Sequence, residues 1–147
     1  MPEASLTVAP GSAPARWLFV YGTLRAGGRN DIVRRHPAAR LVGRGSIDGV
    51  LYDLGTYPGA ALGGATPIEG EVYRIDAAIE AALDVLEEVR PDDEGEYRKR
   101  QVTVAVNGRP LDCLVYEIHP QRCAGHPVIA GGDWIAYWLR RQRERFS

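Results

Sequence analysis

Two runs of alternating apolar residues, separated by Asn107-Gly108, constrain the fold of this chain more than any other feature. Tyr97–Val106 places Val102, Val104 and Val106 on one face, and Leu111–Ile118 returns as its partner. Asn-Gly suits a two-residue turn in which both central residues take positive φ, so the two strands must lie side by side and antiparallel. Ile68–Ile75 alternates as cleanly, with Ile68, Gly70, Val72 and Arg74 on one face and Glu69, Glu71, Tyr73 and Ile75 on the other. Ala39–Asp53 carries apolar residues between glycines and predicts a strand pair with a bulge or bend near Gly45.

Helical signals fall between these runs. Asp76 is an N-cap for a helix over about Ala77–Val89, whose Ile79, Ala82, Leu83, Leu86 and Val89 share one face. Asn30 caps a short helix over Asp31–His36, and Gly131-Gly132-Asp133 opens a last helix to about Arg145. The closing arginines of that helix complement its dipole, and its Trp134, Tyr137 and Trp138 are expected to cover the core. Gly55–Thr66 reads as a long loop and Pro91–Gly95 as an acidic turn. Strands and helices alternate without βαβ regularity, which predicts the α+β class: a mainly antiparallel, barrel-like sheet with flanking helices.

The chain's 147 residues fit one domain at 16–147, preceded by a flexible tail at 1–15. A net charge of −1 provides no bulk attraction for nucleic acid or for an anionic membrane. Lys99 is the only lysine among 18 basic residues, a skew read as genome composition. Cys113 and Cys123 lack zinc-ligand spacing, so no metal site is expected, and their pairing is left open. No window reaches the ~18 apolar residues of a membrane span, and the N-terminus lacks the basic and apolar regions of a signal peptide, so a cytoplasmic protein is expected. His36, His119 and His126 share no spacing with each other or with a carboxylate partner and read as surface or loop residues. No serine sits in a nucleophile-elbow context.

Chemistry concentrates where the apolar run Trp17–Tyr21 meets Gly22-Thr23-Leu24-Arg25-Ala26-Gly27-Gly28. A buried strand turning sharply at glycine can present backbone N–H groups to a small anion. The same residues also read as an ordinary strand-to-loop junction, with Tyr21 a core aromatic. No dinucleotide or P-loop glycine motif is present. On the Ala77–Val89 helix, Glu87 lies roughly 80° around from Ile79, on the shoulder of the buried face, while Glu88 points away. A shoulder carboxylate can be partly desolvated and so act as a base near neutral pH; it can equally lie along the surface.

The string Tyr21-Gly22-Thr23-Leu24 resembles the signature of the gamma-glutamylcyclotransferase-like proteins. So do Tyr57-Pro58-Gly59, Ile68–Tyr73, Leu83-Asp84-Val85-Leu86-Glu87, Tyr97-Arg98, Cys113–Tyr116 and Gly132-Asp133-Trp134, in the family's order, over roughly Trp17 to Tyr137. Threonine after Tyr21-Gly22 is nearer the gamma-glutamylamine-type branch than the glutathione-degrading one. The resemblance implies an enzyme that cyclises a small gamma-glutamyl compound to 5-oxoproline and a free amine, without cofactor. It implies Glu87 as the acid/base. It implies Tyr21, Gly22, Thr23 and Leu24 as the gamma-glutamyl cradle, Tyr97 as a hydroxyl donor and Tyr116 as a further wall. The leaving group would meet the Gly55–Thr66 loop and the Pro120–Gly132 segment. A non-catalytic binding module on the same fold, or a transferase or amide hydrolase on the same pocket, are the other readings. Oligomeric state is not legible.

Overall fold

The structure is a computed structural model and describes residues 16–89 and 95–145. The expected tail at 1–15 and most of the expected acidic turn lie outside the described residues. Six strands form one sheet: β1 (Arg16–Val20), β2 (Arg40–Asp53), β3 (Pro58–Leu62), β4 (Thr66–Ile75), β5 (Tyr97–Val106) and β6 (Arg109–Ile118). Four helices accompany them: α1 (Ile32–Arg35), α2 (Ala77–Leu86), α3 (Pro120–Cys123) and α4 (Trp134–Arg145). The strand order β1-β4-β2-β3-β6-β5, with a further β1–β6 pairing, closes β1, β4, β2, β3 and β6 into a mixed barrel, leaving β5 outside the ring on β6.

The β5–β6 hairpin forms as its alternation predicts, and Asn107 (φ 52°) and Gly108 (φ 79°) take the left-handed conformations of its turn. Closure needs two parallel contacts that local patterning does not signal. β1 joins β6 through Trp17↔Cys113 and Leu18↔Leu114, and β3 joins β6 through Ala60↔Glu117. A side chain reinforces the sparse β3–β6 contact. The Tyr21 hydroxyl accepts from the Ala60 N–H (3.1 Å) and donates to the Tyr116 carbonyl (2.6 Å), so one buried phenol ties β3 to β6.

Several expectations are corrected. In place of a strand pair over Ala39–Asp53 there is one strand, β2 (Arg40–Asp53), whose first part pairs with β4 and whose last part pairs with β3. Its irregularity falls between Leu41 and Gly43, not at Gly45. Gly45 serves a close approach instead, since a Cβ there would stand 2.6 Å from Val104 Cγ1. The Gly55–Thr66 segment is not all loop: Pro58–Leu62 is recruited as β3 because β2 and β6 present free edges on either side. Asp31, not Asn30, caps α1, accepting from the Val33 and Arg34 amides, while the Asn30 side chain donates to Thr23 Oγ1. Cys113 and Cys123, whose pairing the sequence left open, are both free thiols.

Strand alternation divides the core between two clusters. Phe19, Ile47, Ile68, Val72, Val104 and Val115 belong to one, which α4 joins through Trp134. Leu18, Val20, Tyr73, Ile75 and Leu114 belong to the other, which α2 covers with Ile79 and Leu83. Among the described residues no helix is long and apolar enough to cross a membrane.

α2 ends three residues before the expected Val89. Asp76 caps it as predicted, accepting from the Ile79 amide. After Leu86 the chain turns with Glu88 left-handed at φ 54°, the Glu88 amide donating to Val85 O (3.1 Å) and the Val89 amide to Asp84 O (2.9 Å). This is the Schellman arrangement, which usually takes glycine where Glu88 stands. Its turn returns Val89 to the core while Ala82 and Leu86, expected on the buried face, are exposed. Glu88→Gly is expected to stabilise the fold by on the order of 0.5–1 kcal/mol, because relief of left-handed strain outweighs the added unfolded-state entropy. Urea unfolding checks it; a lower midpoint would show that the Glu88 side chain carries a contribution larger than the strain.

Candidate active site

The Schellman turn fixes where Glu87 stands. As the C-cap of α2 it closes the helix with its amide on Leu83 O (2.9 Å) and lines a cavity of about 390 Å³, counting the open mouth. Tyr21, Gly22, Thr23, Leu24, Tyr57, Pro58, Tyr97 and Tyr116 also line it. All seven residues singled out from the sequence thus meet in one space, although they come from the loop after β1, the C-cap of α2, β5 and β6.

The loop after β1 is wound so that its carbonyls are occupied and its amides are not. Gly22 O accepts from the Arg25 N–H (3.1 Å), Thr23 O from Asn30 (2.8 Å) and Leu24 O from Ile32 (2.9 Å). The amides of Gly22, Thr23 and Leu24 meet no acceptor among the described residues. Successive free N–H groups of this kind are the chemistry by which a backbone can receive a small anion. Gly22 is required by packing, since a Cβ there would lie 2.7 Å from Pro58 Cγ.

A buried ionic clamp holds this loop, and sequence reading did not single it out. Arg25, 5% exposed, donates to Glu71 Oε2 on β4 (2.7 Å) and to Asp133 Oδ1 before α4 (2.9 Å). Glu71 Oε1 accepts from the Ala26 amide (3.0 Å), and Asp133 also caps α4 through the Ala136 amide. The only local signals were an arginine next to the loop and a glutamate on an alternating strand, and neither reveals a partner 46 or 108 positions away.

The three tyrosine hydroxyls are spoken for. Tyr21 bridges Ala60 and Tyr116 as described. Tyr97, expected to donate into the pocket, donates instead to Pro58 O (2.6 Å). Tyr116 donates to Asp84 Oδ1 (2.8 Å), which also takes the Lys99 ammonium. Burial holds all three phenols well above their ordinary range, so they remain protonated. They shape the wall and orient what lies behind it. Tyr57, at the mouth, donates to Glu96.

Glu87 differs from these neighbours. No described side chain pairs with its carboxylate, and burial followed by the nearby negative charge of Glu96 pushes its pKa up to about 7. A carboxylate balanced between its two protonation states therefore shares a cavity with three unsatisfied amides.

The sequence profile described as "Gamma-glutamyl cyclotransferase, AIG2-like" matches residues 18–136. A gamma-glutamylcyclotransferase family protein, YtfP, of Escherichia coli K12 is 37% identical over 80% of this chain and 95% of its own length. A putative gamma-glutamylcyclotransferase of Vibrio cholerae is 35% identical over 80% of this chain and 93% of its own. The crystal structure of a mouse AIG2-like protein superposes with a TM-score of 0.63 at 27% identity, covering 77% of this chain and 84% of that one. The matched span runs from β1 into α4 and so takes in the glycine loop, Glu87 and all four cavity tyrosines: the chain belongs to the AIG2-like gamma-glutamyl cyclotransferase family.

Proposed function

We propose that this protein is a gamma-glutamyl cyclotransferase that uses Glu87 as its acid/base. The observation carrying the reading is the pairing of a desolvated, unpaired Glu87 with the free amides of Gly22, Thr23 and Leu24 in one cavity. A gamma-glutamyl group carries an α-ammonium and an α-carboxylate at one end and an amide at the other. The three amide N–H groups donate to the α-carboxylate at the anionic end. Glu87 takes a proton from the α-ammonium. The amine nitrogen then attacks the γ-carbonyl carbon, forming a five-membered lactam, and the amide C–N bond breaks.

The lactam nitrogen keeps one of the three ammonium protons. The other two end on the leaving nitrogen, which departs as an ammonium, so no proton is consumed overall. Glu87 returns what it takes. Ring closure within one molecule supplies the proximity that two separate reactants would lack. The tyrosine-lined wall keeps the extended chain curled.

The test is 5-oxoproline release from a panel of gamma-glutamyl amines and dipeptides by the wild-type protein. Release from none of them, with the protein folded, sinks the reading in favour of a binding module. The pH profile adds a second prediction. Glu87 must be ionised to accept the proton, so kcat/KM should rise through about pH 7 and level off above it. Glu96→Gln removes the negative neighbour and should move that rise to lower pH, without returning it to the ordinary carboxylate range because burial remains. An unmoved limb would show that Glu96 does not act on the titrating group.

A further inference from the structure

Thr23 is a wall of two spaces. On one side is the cavity that holds Glu87; on the other is a larger cleft, about 820 Å³ on the same measure, between the glycine loop and α4. Its apolar side is Trp134, Ile135, Trp138 and Leu139, and the two indoles stack at 5.4 Å. Leu139 is 54% exposed, a large apolar side chain left uncovered beside the candidate active site. Across from these, Arg29 and Thr56 meet at 3.5 Å. No acidic residue lines the cleft. The Pro120–Gly132 segment, expected from the sequence to meet the leaving group, lines neither space.

We infer that this cleft is the subsite for the leaving group, and that the leaving group is an α-amino acid with an apolar, preferably aromatic, side chain. The inference rests on the cyclotransferase reading above. In that reading the cavity beside Glu87 takes the gamma-glutamyl group, and whatever is attached to its γ-carbonyl must extend out of it. The adjoining cleft offers a flat aromatic surface, which favours an apolar or aromatic side chain. Arg29 provides the one cation, matching the α-carboxylate of an amino acid rather than a plain amine. A cleft without carboxylates provides nothing for the ammonium of a lysine or polyamine. Arg29 and Trp138 therefore read two different parts of the same leaving group.

The experiment compares kcat/KM for gamma-glutamyl-L-phenylalanine, gamma-glutamyl-phenethylamine, gamma-glutamylglycine and Nε-(gamma-glutamyl)lysine. The phenylalanine compound should exceed the glycine and lysine compounds at least tenfold, in line with burial of an apolar side chain in a preformed pocket. Trp138→Ala and the exposed Leu139→Gln should each reduce the phenylalanine-to-glycine ratio several-fold. The Leu139 variant guards against a folding defect. Arg29→Gln should narrow the gap between phenylalanine and phenethylamine, which differ only in the carboxylate.

In parallel, L-phenylalanine is titrated into 15N-labelled protein. The Trp134 and Trp138 indole N–H signals should shift, and that of Trp17, outside the cleft on β1, should not. Turnover without the apolar preference, a preference that neither α4 variant moves, or unshifted cleft indoles would overturn the subsite and leave the reaction standing. Indole shifts without any 5-oxoproline would keep the cleft as an apolar amino-acid site and overturn the cyclotransferase reading. Absence of both overturns both.

Discussion

Glu87→Gln is expected to lower 5-oxoproline release by about 10²–10⁴-fold while making the protein more stable above neutral pH. The amide keeps the shape of the carboxyl group but can neither take the α-ammonium proton nor return it. The stability gain follows from the same desolvation that makes Glu87 useful. Its folded-state pKa, about 7, lies above the ordinary carboxylate value. The folded state therefore holds the proton more tightly than the unfolded chain. Wild type and variant should match most closely below the unfolded value. From there the wild type loses stability as pH rises to about 7, and above that the difference is constant.

The difference is on the order of 1–3 kcal/mol, the lower part of the range allowing for the partial exposure of the residue. It should appear as a melting temperature several degrees higher for the variant at pH 8 than for wild type. Thermal melts of both proteins at pH 4 and pH 8, beside the activity assay, test the two halves together. Equal turnover would remove Glu87 from the chemistry. Equal melting at pH 8 would show that its carboxylate is well solvated.

Arg25→Met should cause the largest loss of stability of any single change at the loop, about 3–5 kcal/mol. Arg25 is 5% exposed and Glu71 is 6% exposed, so removing the cation strands a carboxylate in the core. Asp133 suffers less, because it is partly exposed and still caps α4. Adding Glu71→Gln to Arg25→Met should recover most of the loss. It removes the stranded charge but keeps an acceptor for the Ala26 amide and the Tyr73 hydroxyl. A double-mutant cycle by urea unfolding measures this coupling.

Arg25 is a positioning residue, so the double variant should fold yet bind substrate worse, with KM rising more than kcat falls. The carbonyls that order the loop would remain, but its tie to β4 and α4 would be gone. Additive losses in the cycle, with an unchanged KM, would show that the clamp neither couples the two residues nor places the amides.

What could be read from the sequence follows the range over which each feature is decided. The hairpin at Asn107-Gly108, the alternation of β4 and the cap at Asp76 depend on residues a few positions apart, and each forms as its local pattern implies. The end of α2 was misread for the complementary reason: its terminating turn uses Glu88 where the local signal would be glycine. β3 was missed because a strand of Pro58, Gly59 and alanines has little preference of its own and forms only between the edges of β2 and β6. At the site, Glu87 and the glycine loop could be named as candidates from the helical period, the turn residues and the family resemblance. Arg25, Glu71 and Asp84 stand within strings that were noted, but their pairings, like that of Glu96, could not be read there, because the partners lie far along the chain.

By itself, then, the sequence determined the α+β class, most of the strands and helices, and which residues were candidates for chemistry. Those follow from backbone preference and side-chain period, which act between neighbours. Only the tertiary structure decided where the barrel closes, at the β1–β6 and β3–β6 contacts, the second reinforced by a Tyr21 hydroxyl bond spanning 95 positions, and that the loop is clamped through one spanning 108. It also decided that the Glu87 carboxyl is poised near neutrality. That property belongs to the shell of Tyr57, Tyr97, Tyr116 and Glu96 assembled around the side chain, since desolvation is set by what surrounds a group in space.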